Sequence, residues 1–387
     1  MPFCSGQGGG GVWFFFYLHP MKKRFIIIRW VVGLLFIFSG LIKANDPLGL
    51  SYKMQEFFEA WGLHGFNGYT LALSVLMNLF EVLAGVAVIV GWRMKLFSWL
   101  LLLLIIFFTF LTGYAQLSGK IKTCGCFGDC LPLTPLQSFI KDLVLLLLIL
   151  VLFVYKAKIA SALRGPLPQL LLIVCVGAVT VLQWYVLNHL PILDCLPYKP
   201  GNNILEQMKP HPGTIPDKYE LTFIYSKNGK NYEFGEDTLS NMADIGTYTY
   251  VDRKEKLIKG NGTDAKIVDF SLESLFGNDT TAAVLGQNNG YVMLFVKDFS
   301  TFNEWHDKTF DEKVAALKQQ NKPFFIVTPD KATAAKLFGN NPDVHVLISD
   351  GTVVKTAARV NPTYFVMQQA TIIKKFGYKE PFAVLAK

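Results

Sequence analysis

Between residues 25 and 190 the chain alternates long apolar runs with short polar breaks, and after residue 197 that pattern stops. A membrane-crossing helix needs about 20 mostly apolar residues. The stretches Phe25–Ile42, Tyr69–Val90, Leu96–Leu117, Leu136–Tyr155 and Leu167–His189 meet this requirement and predict five spans. The third, "LFSWLLLLLIIFFTFL", is unbroken; the fourth carries Lys141 and Asp142 near its start; the fifth contains Gln183. Between the first two, "YKMQEFFEAWGLHGF" is amphipathic and predicts a helix lying on the membrane surface.

Downstream, short periodic segments replace the long runs. "YELTFIYSKNGKNYEF" predicts a hairpin with Asn228 and Gly229 at its turn, and "GTYTYVD" and "AKIVDFSL" predict further strands. "YVMLFVKDF" reads as a strand, followed by one amphipathic helix over "TFNEWHDKTFDEKVAALKQQ" with Phe302, Trp305, Phe310, Val314 and Leu317 on one face. The strand "PFFIVTP" and a short helix "KATAAKLFG", closed by a glycine cap, come next. "VHVLISD" follows, then two strands about a polar turn in "NPTYFVMQQATIIKKFG". The expected organisation is an upstream, non-native or disordered extension over 1–20 and a four-helix membrane domain over 21–156. A fifth span with its linker over 157–196, a strand-rich segment over 197–285 and an α/β domain over 286–387 complete it. Met21 opens "MKKRFIII" as a natural start, and on that reading Cys4 has no function.

Composition fits this division. Charged residues are 17% of the 387, against about a quarter in a soluble protein. The net charge of +8 does not point to nucleic acid, because much of the basic excess flanks apolar runs. Lys22, Lys23 and Arg24, then Arg93 and Lys95, then Lys156, Lys158 and Arg164 all fall on one side of a five-span layout. The positive-inside rule makes that side cytoplasmic. Lys120 and Lys122 oppose it weakly. The expected protein sits in a bacterial cytoplasmic membrane among lipid, with its N-terminus inside and its C-terminal domain in the periplasm, where disulfides persist.

The chemistry concentrates in "KTCGCFGDCLP", which sets Cys124, Cys126 and Cys130 within seven residues on the outer side. Three thiols leave one unpaired, which favours exchange over a static brace. Cys195, just beyond the fifth span, lies on the correct side to act as partner or shuttle, whereas Cys175 lies within that span. A structural disulfide and a metal site stay open as alternatives; C-x-C-x3-C lacks the paired elements of common zinc sites, and no metal ligand set is assigned. Glu81, near the middle of the second span, is either a proton carrier or a helix-to-helix contact to Arg29. Asp142 is placed to move a proton during thiol exchange, and Lys141 to stabilise a thiolate.

"CGCFGDC" ahead of "SFIKDLVLLLL", the opening "RWVVGLLFIFSGLIKANDPLG" with Arg29, Gly33, Ser39, Gly40 and Lys43, and "NLFEVLAGVAVIVGW" with Glu81, Gly85 and Gly91 together resemble the MauE branch of the DoxX-like membrane proteins. The resemblance covers about residues 22–156 and implies a four-helix membrane bundle. It links the chain to disulfide-rich protein maturation and to quinone-coupled redox work, with a quinone as the implied electron sink. The fifth span and the C-terminal domain depart from that pattern. In the second half, strand-helix-strand followed by a strand pair is similar to a thioredoxin fold, and "VNPTYFVM" resembles its cis-proline segment, implying a cis Asn361–Pro362 bond. The position of a reactive Cys-x-x-Cys reads "KDFSTFNEW", and no cysteine follows Cys195. The expected protein is therefore a membrane thiol-disulfide or electron-transfer protein, with catalytic candidates Cys124, Cys126, Cys130, Cys195, Asp142 and Glu81. Its thioredoxin-like domain is redox-inactive and docks a periplasmic thiol-containing or thioredoxin-like protein. The alternative is a non-catalytic assembly scaffold.

Overall fold

The computed structural model describes residues 11–119, 121, 125–210, 218–227, 230–235, 238–239, 242, 245–259 and 265–380. Cys4, Cys124, Lys120, Lys122 and the expected turn at Asn228 and Gly229 lie outside them. Two compact units result, Met1–Val186 and Leu187–Lys387.

The first unit is helical: α1 (Gly11–Asn45), α2 (Pro47–Ala60), α3 (Thr70–Val90), α4 (Met94–Ser118), α5 (Pro135–Val154) and α6 (Leu167–Asn188). Among the described residues five helical segments are long and apolar enough to cross a membrane: Phe25–Asn45, Gly65–Val90, Met94–Ser118, Pro135–Val154 and Leu167–Asn188. The chain is a multi-pass membrane protein, and α2 is a helix over the first part of the expected amphipathic segment. Large apolar side chains on the spans, including Leu103, Phe110, Leu147, Ile173 and Trp184, remain exposed on the unit's outside, as contact with hydrocarbon requires.

Local chemistry sets the helix limits. Asp46 caps α2 by accepting from the Gly49 amide at 3.0 Å, and Pro47 supplies the fixed φ of a first helical residue. Gly91 ends α3 in the left-handed region, at φ 77°. Thr134 and Gln137 form a reciprocal capping box at the start of α5.

Within the unit α1 packs chiefly on α3, and α4 on α5. The first pair touches backbone to backbone: a Cβ on Gly85 would stand 2.6 Å from the Gly33 carbonyl oxygen, and one on Gly33 would stand 2.7 Å from that of Gly85. Small residues permit this approach in a medium where no hydrophobic effect drives helices together. Arg29 does not reach Glu81. Its Nε donates to the Val88 carbonyl at 2.9 Å and its Nη2 to that of Ile89, so it adds donors to the last turn of α3.

The described residues of the second unit form two sheets. Strands β1 (Lys218–Lys227), β2 (Lys230–Gly235) and β3 (Thr249–Lys259) form an antiparallel sheet in the order β2-β1-β3, with Lys227 opposite Lys230. A short helix α7 (Ile204–Gln207) precedes them. The larger sheet runs β4-β7-β6-β5-β8-β9. Its elements in chain order are β4 (Glu273–Ser274), α8 (Thr281–Leu285), β5 (Tyr291–Phe295), α9 (Phe302–Trp305), α10 (Lys308–Gln319), β6 (Phe324–Thr328), α11 (Lys331–Phe338), β7 (His345–Ile348), α12 (Gly351–Ala357), β8 (Thr363–Gln368) and β9 (Thr371–Gly377). β5, β6 and β7 are parallel, and β8 and β9 complete the sheet antiparallel. Apolar cores lie on both faces, one around Phe295, Leu285 and Phe365, the other around Trp305, Phe310 and Phe338. The order β6-β5-β8-β9 with its crossover helices is thioredoxin-like, and the Asn361–Pro362 peptide is cis, as the resemblance implies.

Two local expectations need correction. The single helix over 301–320 is broken, because the Asp307 side chain accepts from the Phe310 amide at 3.0 Å and starts a new helix there. "AKIVDFSL" is not a strand; Ile267, Phe270 and Leu272 are buried in the core from an irregular segment.

Candidate functional site

The cysteine loop is held to the bundle by its aromatic residue. Gly125 and Gly128 take left-handed backbone, at φ 65° and 57°, and the Gly128 amide closes the turn on the Gly125 carbonyl at 3.0 Å. Between them Phe127 is buried, 5.6 Å from the Phe38 ring, with the Lys141 ammonium 5.4 Å from its own ring centroid. Burying Phe127 sets Cys126 against the bundle and leaves Asp129 exposed.

Below the loop lies a polar seam. The Ser39 hydroxyl on α1 is 2.9 Å from both the Cys126 carbonyl oxygen and Glu81 Oε2, and the two acceptors share its proton. Glu81 on α3 is ion-paired with Lys43 on α1, and both side chains are buried. Asn78, one turn before Glu81, donates to the Lys43 carbonyl at 3.1 Å and to Gln183 Oε1 on α6 at 3.2 Å. Gln183 Nε2 donates in turn to the Val75 carbonyl at 3.3 Å. On the other side, fully buried Asp142 is ion-paired with Lys141 and lies 3.1 Å from the Thr112 hydroxyl.

Ser39, Lys43, Thr112 and Lys141 from this seam line a cavity of about 190 Å³. Ser39, Lys43, Thr112, Gly125, Cys126 and Lys141 form its polar pole. Lys53 of α2 also lines it, and the rest of the wall is apolar and comes from α2, α3 and α4, including Phe57, Trp61, Leu73 and Phe107. Cys126 is a free thiol there. Burial pushes its pKa up from the ordinary value, the Lys141 charge pulls it back, Asp142 raises it, and Lys43 and the Ser138 hydroxyl lower it.

The structure brings together Cys126, Glu81 and Asp142. Cys130 is disulfide-bonded and Cys195, in the second unit, is disulfide-bonded; Cys124 lies outside the described residues. Among the described residues Cys126 is thus a free thiol, as is Cys175 within α6. Sequence reasoning assigned no role to Lys43, Ser39 or Thr112. Ser39 and Lys43 stand four residues apart in an apolar span, and that spacing on one helix face was the available signal. Among the described residues no three His, Cys, Asp or Glu side chains converge as metal ligands.

A multi-pass bundle with a thiol-lined cavity at its rim defines the class of the first unit. The family described as methylamine utilisation protein MauE matches residues 21–155, so this part of the chain is similar to that family. A domain of unknown function, DUF8463, matches residues 219–260, the three-stranded sheet. Protein TlpB of Flavobacterium psychrophilum is 29% identical over 147 residues, covering 34% of this chain and 36% of that relative. The match therefore spans about a third of the relative's length. No solved structure matches the chain.

Proposed function

We propose that the chain carries out thiol-disulfide exchange at the outer rim of a bacterial cytoplasmic membrane, with Cys126 as the nucleophile. The Cys126 thiolate attacks one sulfur of a disulfide. A new sulfur–sulfur bond forms as the old one breaks, and the displaced sulfur leaves as a thiolate. Asp142 takes the Cys126 proton and returns it to the displaced sulfur, while Lys141 and Lys43 stabilise the anionic states. The flanking basic clusters support an orientation with the N-terminus cytoplasmic and the second unit periplasmic.

The second unit has no cysteine after Cys195 and none at its thioredoxin-like helix start. Its proposed role is to dock a thiol-containing protein partner. Asn361 supports a rigid docking surface, because its side chain accepts from the Lys297 amide at 2.9 Å and donates to the Asp298 carbonyl at 2.9 Å.

The observation that carries this reading is a free thiol facing a cavity beside two ammonium groups. Its test is a trapping experiment: Cys130→Ser and Cys126→Ser proteins in nanodiscs, challenged with a model disulfide peptide. Exchange that survives Cys130→Ser in part and disappears in Cys126→Ser supports the assignment; full activity in Cys126→Ser ends it. The disulfide state of Cys130 and Cys195 favours a second reading, a scaffold braced by disulfide, in which neither substitution changes exchange because none occurs.

A further inference from the structure

We infer that the end of the bundle carrying the α3–α4 turn and the α5–α6 connection binds the phosphate headgroup of an anionic phospholipid. The site does not depend on the exchange reading and uses none of its residues. Five cations come from these two short stretches: Arg93 and Lys95 from the first, Lys156, Lys158 and Arg164 from the second. No Asp or Glu occurs in residues 82–128 or 143–193, so neither stretch carries an acid to neutralise them.

The two stretches are held together. The Ala162 amide donates to the Val90 carbonyl at 2.8 Å, and a Cβ on Gly91 would stand 2.8 Å from the Ala160 carbonyl oxygen. Aromatic rings position the cations. Lys156 Nζ lies 3.4 Å from the Phe153 ring centroid and 5.1 Å from that of Trp99. Those two rings meet edge to face at 4.6 Å and join α5 to α4. Arg93 lies 5.0 Å over the Trp92 ring and Lys158 5.2 Å over that of Tyr155. A ring cancels no charge, so the cations keep their pull on phosphate oxygens. The apolar surface beside them selects a lipid over a free phosphate. Leu96, Trp99 and Leu103 are exposed along one stripe of α4, and Leu147 and Val154 along one of α5. Both stripes run up to the cations, so a headgroup held there lays its acyl chains on them. Basic pockets between spans hold anionic headgroups in this way.

Native mass spectrometry of the full chain, released from micelles containing phosphatidylglycerol and phosphatidylcholine, tests the site. The expected result is saturable retention of phosphatidylglycerol over phosphatidylcholine. Combining Lys156→Ala, Lys158→Ala and Arg164→Ala weakens it about a hundredfold. Lys158→Ala alone, at an exposed side chain, weakens it about fivefold and covers misfolding of the triple variant. Trp99→Leu, which keeps every charge and removes one ring, weakens it about threefold. Taking three exposed cations from the second unit, with Lys308→Ala, Lys331→Ala and Lys336→Ala, leaves retention unchanged. Equal loss in the two triple variants, with Trp99→Leu like the parent, reflects attraction to net charge only and overturns the inference. Displacement of the lipid by glycerol phosphate also overturns it, since the site would then take phosphate without a lipid.

Discussion

Lys43 on α1 and Glu81 on α3 are ion-paired at a place where neither side chain touches solvent. A pair of this kind is weak evidence for stability in itself, but removing one partner strands a charge in low dielectric. Glu81→Ala and Lys43→Ala are each expected to cost about 3–5 kcal/mol, whereas the double variant Lys43→Met with Glu81→Leu recovers most of it. Thermal unfolding in detergent checks this. Single variants as stable as the parent would show that the pair does not hold α1 to α3.

Cys126 gives a pH dependence with a defined sign. Burial dominates and raises its pKa, so the thiolate fraction grows as pH rises and is half-populated above the ordinary value of about 8.5. Asp142→Asn removes a raising influence and lowers the midpoint; Lys141→Met removes a lowering one and lifts it. Alkylation rates measured against pH read these midpoints directly. A midpoint unmoved by Asp142→Asn would mean that the carboxylate does not act on the thiol.

The two kinds of glycine in the spans respond in opposite ways. A side chain on Gly85 meets the Gly33 carbonyl and Ile37, so Gly85→Val forces α1 and α3 apart and costs about 1–3 kcal/mol. Gly177 on α6 has open space around it, and Gly177→Ala gains up to about 1 kcal/mol of helix propensity. The difference in detergent stability between the two variants is the measurement.

Gln183 is the polar contact from α6 to Asn78 and Val75. Hydrogen bonds between spans average about 0.6 kcal/mol and reach about 1.7 kcal/mol, so Gln183→Leu is expected to weaken the unit modestly. Protease protection of the 155–167 connection, compared between parent and variant, reports whether α6 loosens.

The spans were legible because hydrocarbon imposes a length and a polarity on every one of them, and the chain pays no attention to tertiary context in meeting that demand. The cis Asn361–Pro362 bond was legible through its flanking segment. Pairings were not. Arg29 and Lys43 are both single cations in one apolar helix, and only the three-dimensional packing sends Lys43 to Glu81 and Arg29 to the carbonyls at the end of α3. The helix break at Asp307 was missed because the apolar stripe from Phe302 to Leu317 continues across it, and a single capping carboxylate outweighs that continuity. The state of Cys126 was hidden for a similar reason, since spacing alone does not decide which of three neighbouring thiols faces the bundle.

The capping box at Thr134 has a consequence for how sequences of this kind diverge. It fixes the rotational origin of α5, and Lys141 and Asp142 point inward only because they sit a set number of residues below it. One extra residue on the loop side of Thr134 is absorbed by irregular backbone. The same insertion after Gln137 turns every later position by about 100° and carries both charges toward the acyl chains. Length variation in descendants of this chain is thus tolerated up to Thr134 and forbidden beyond it.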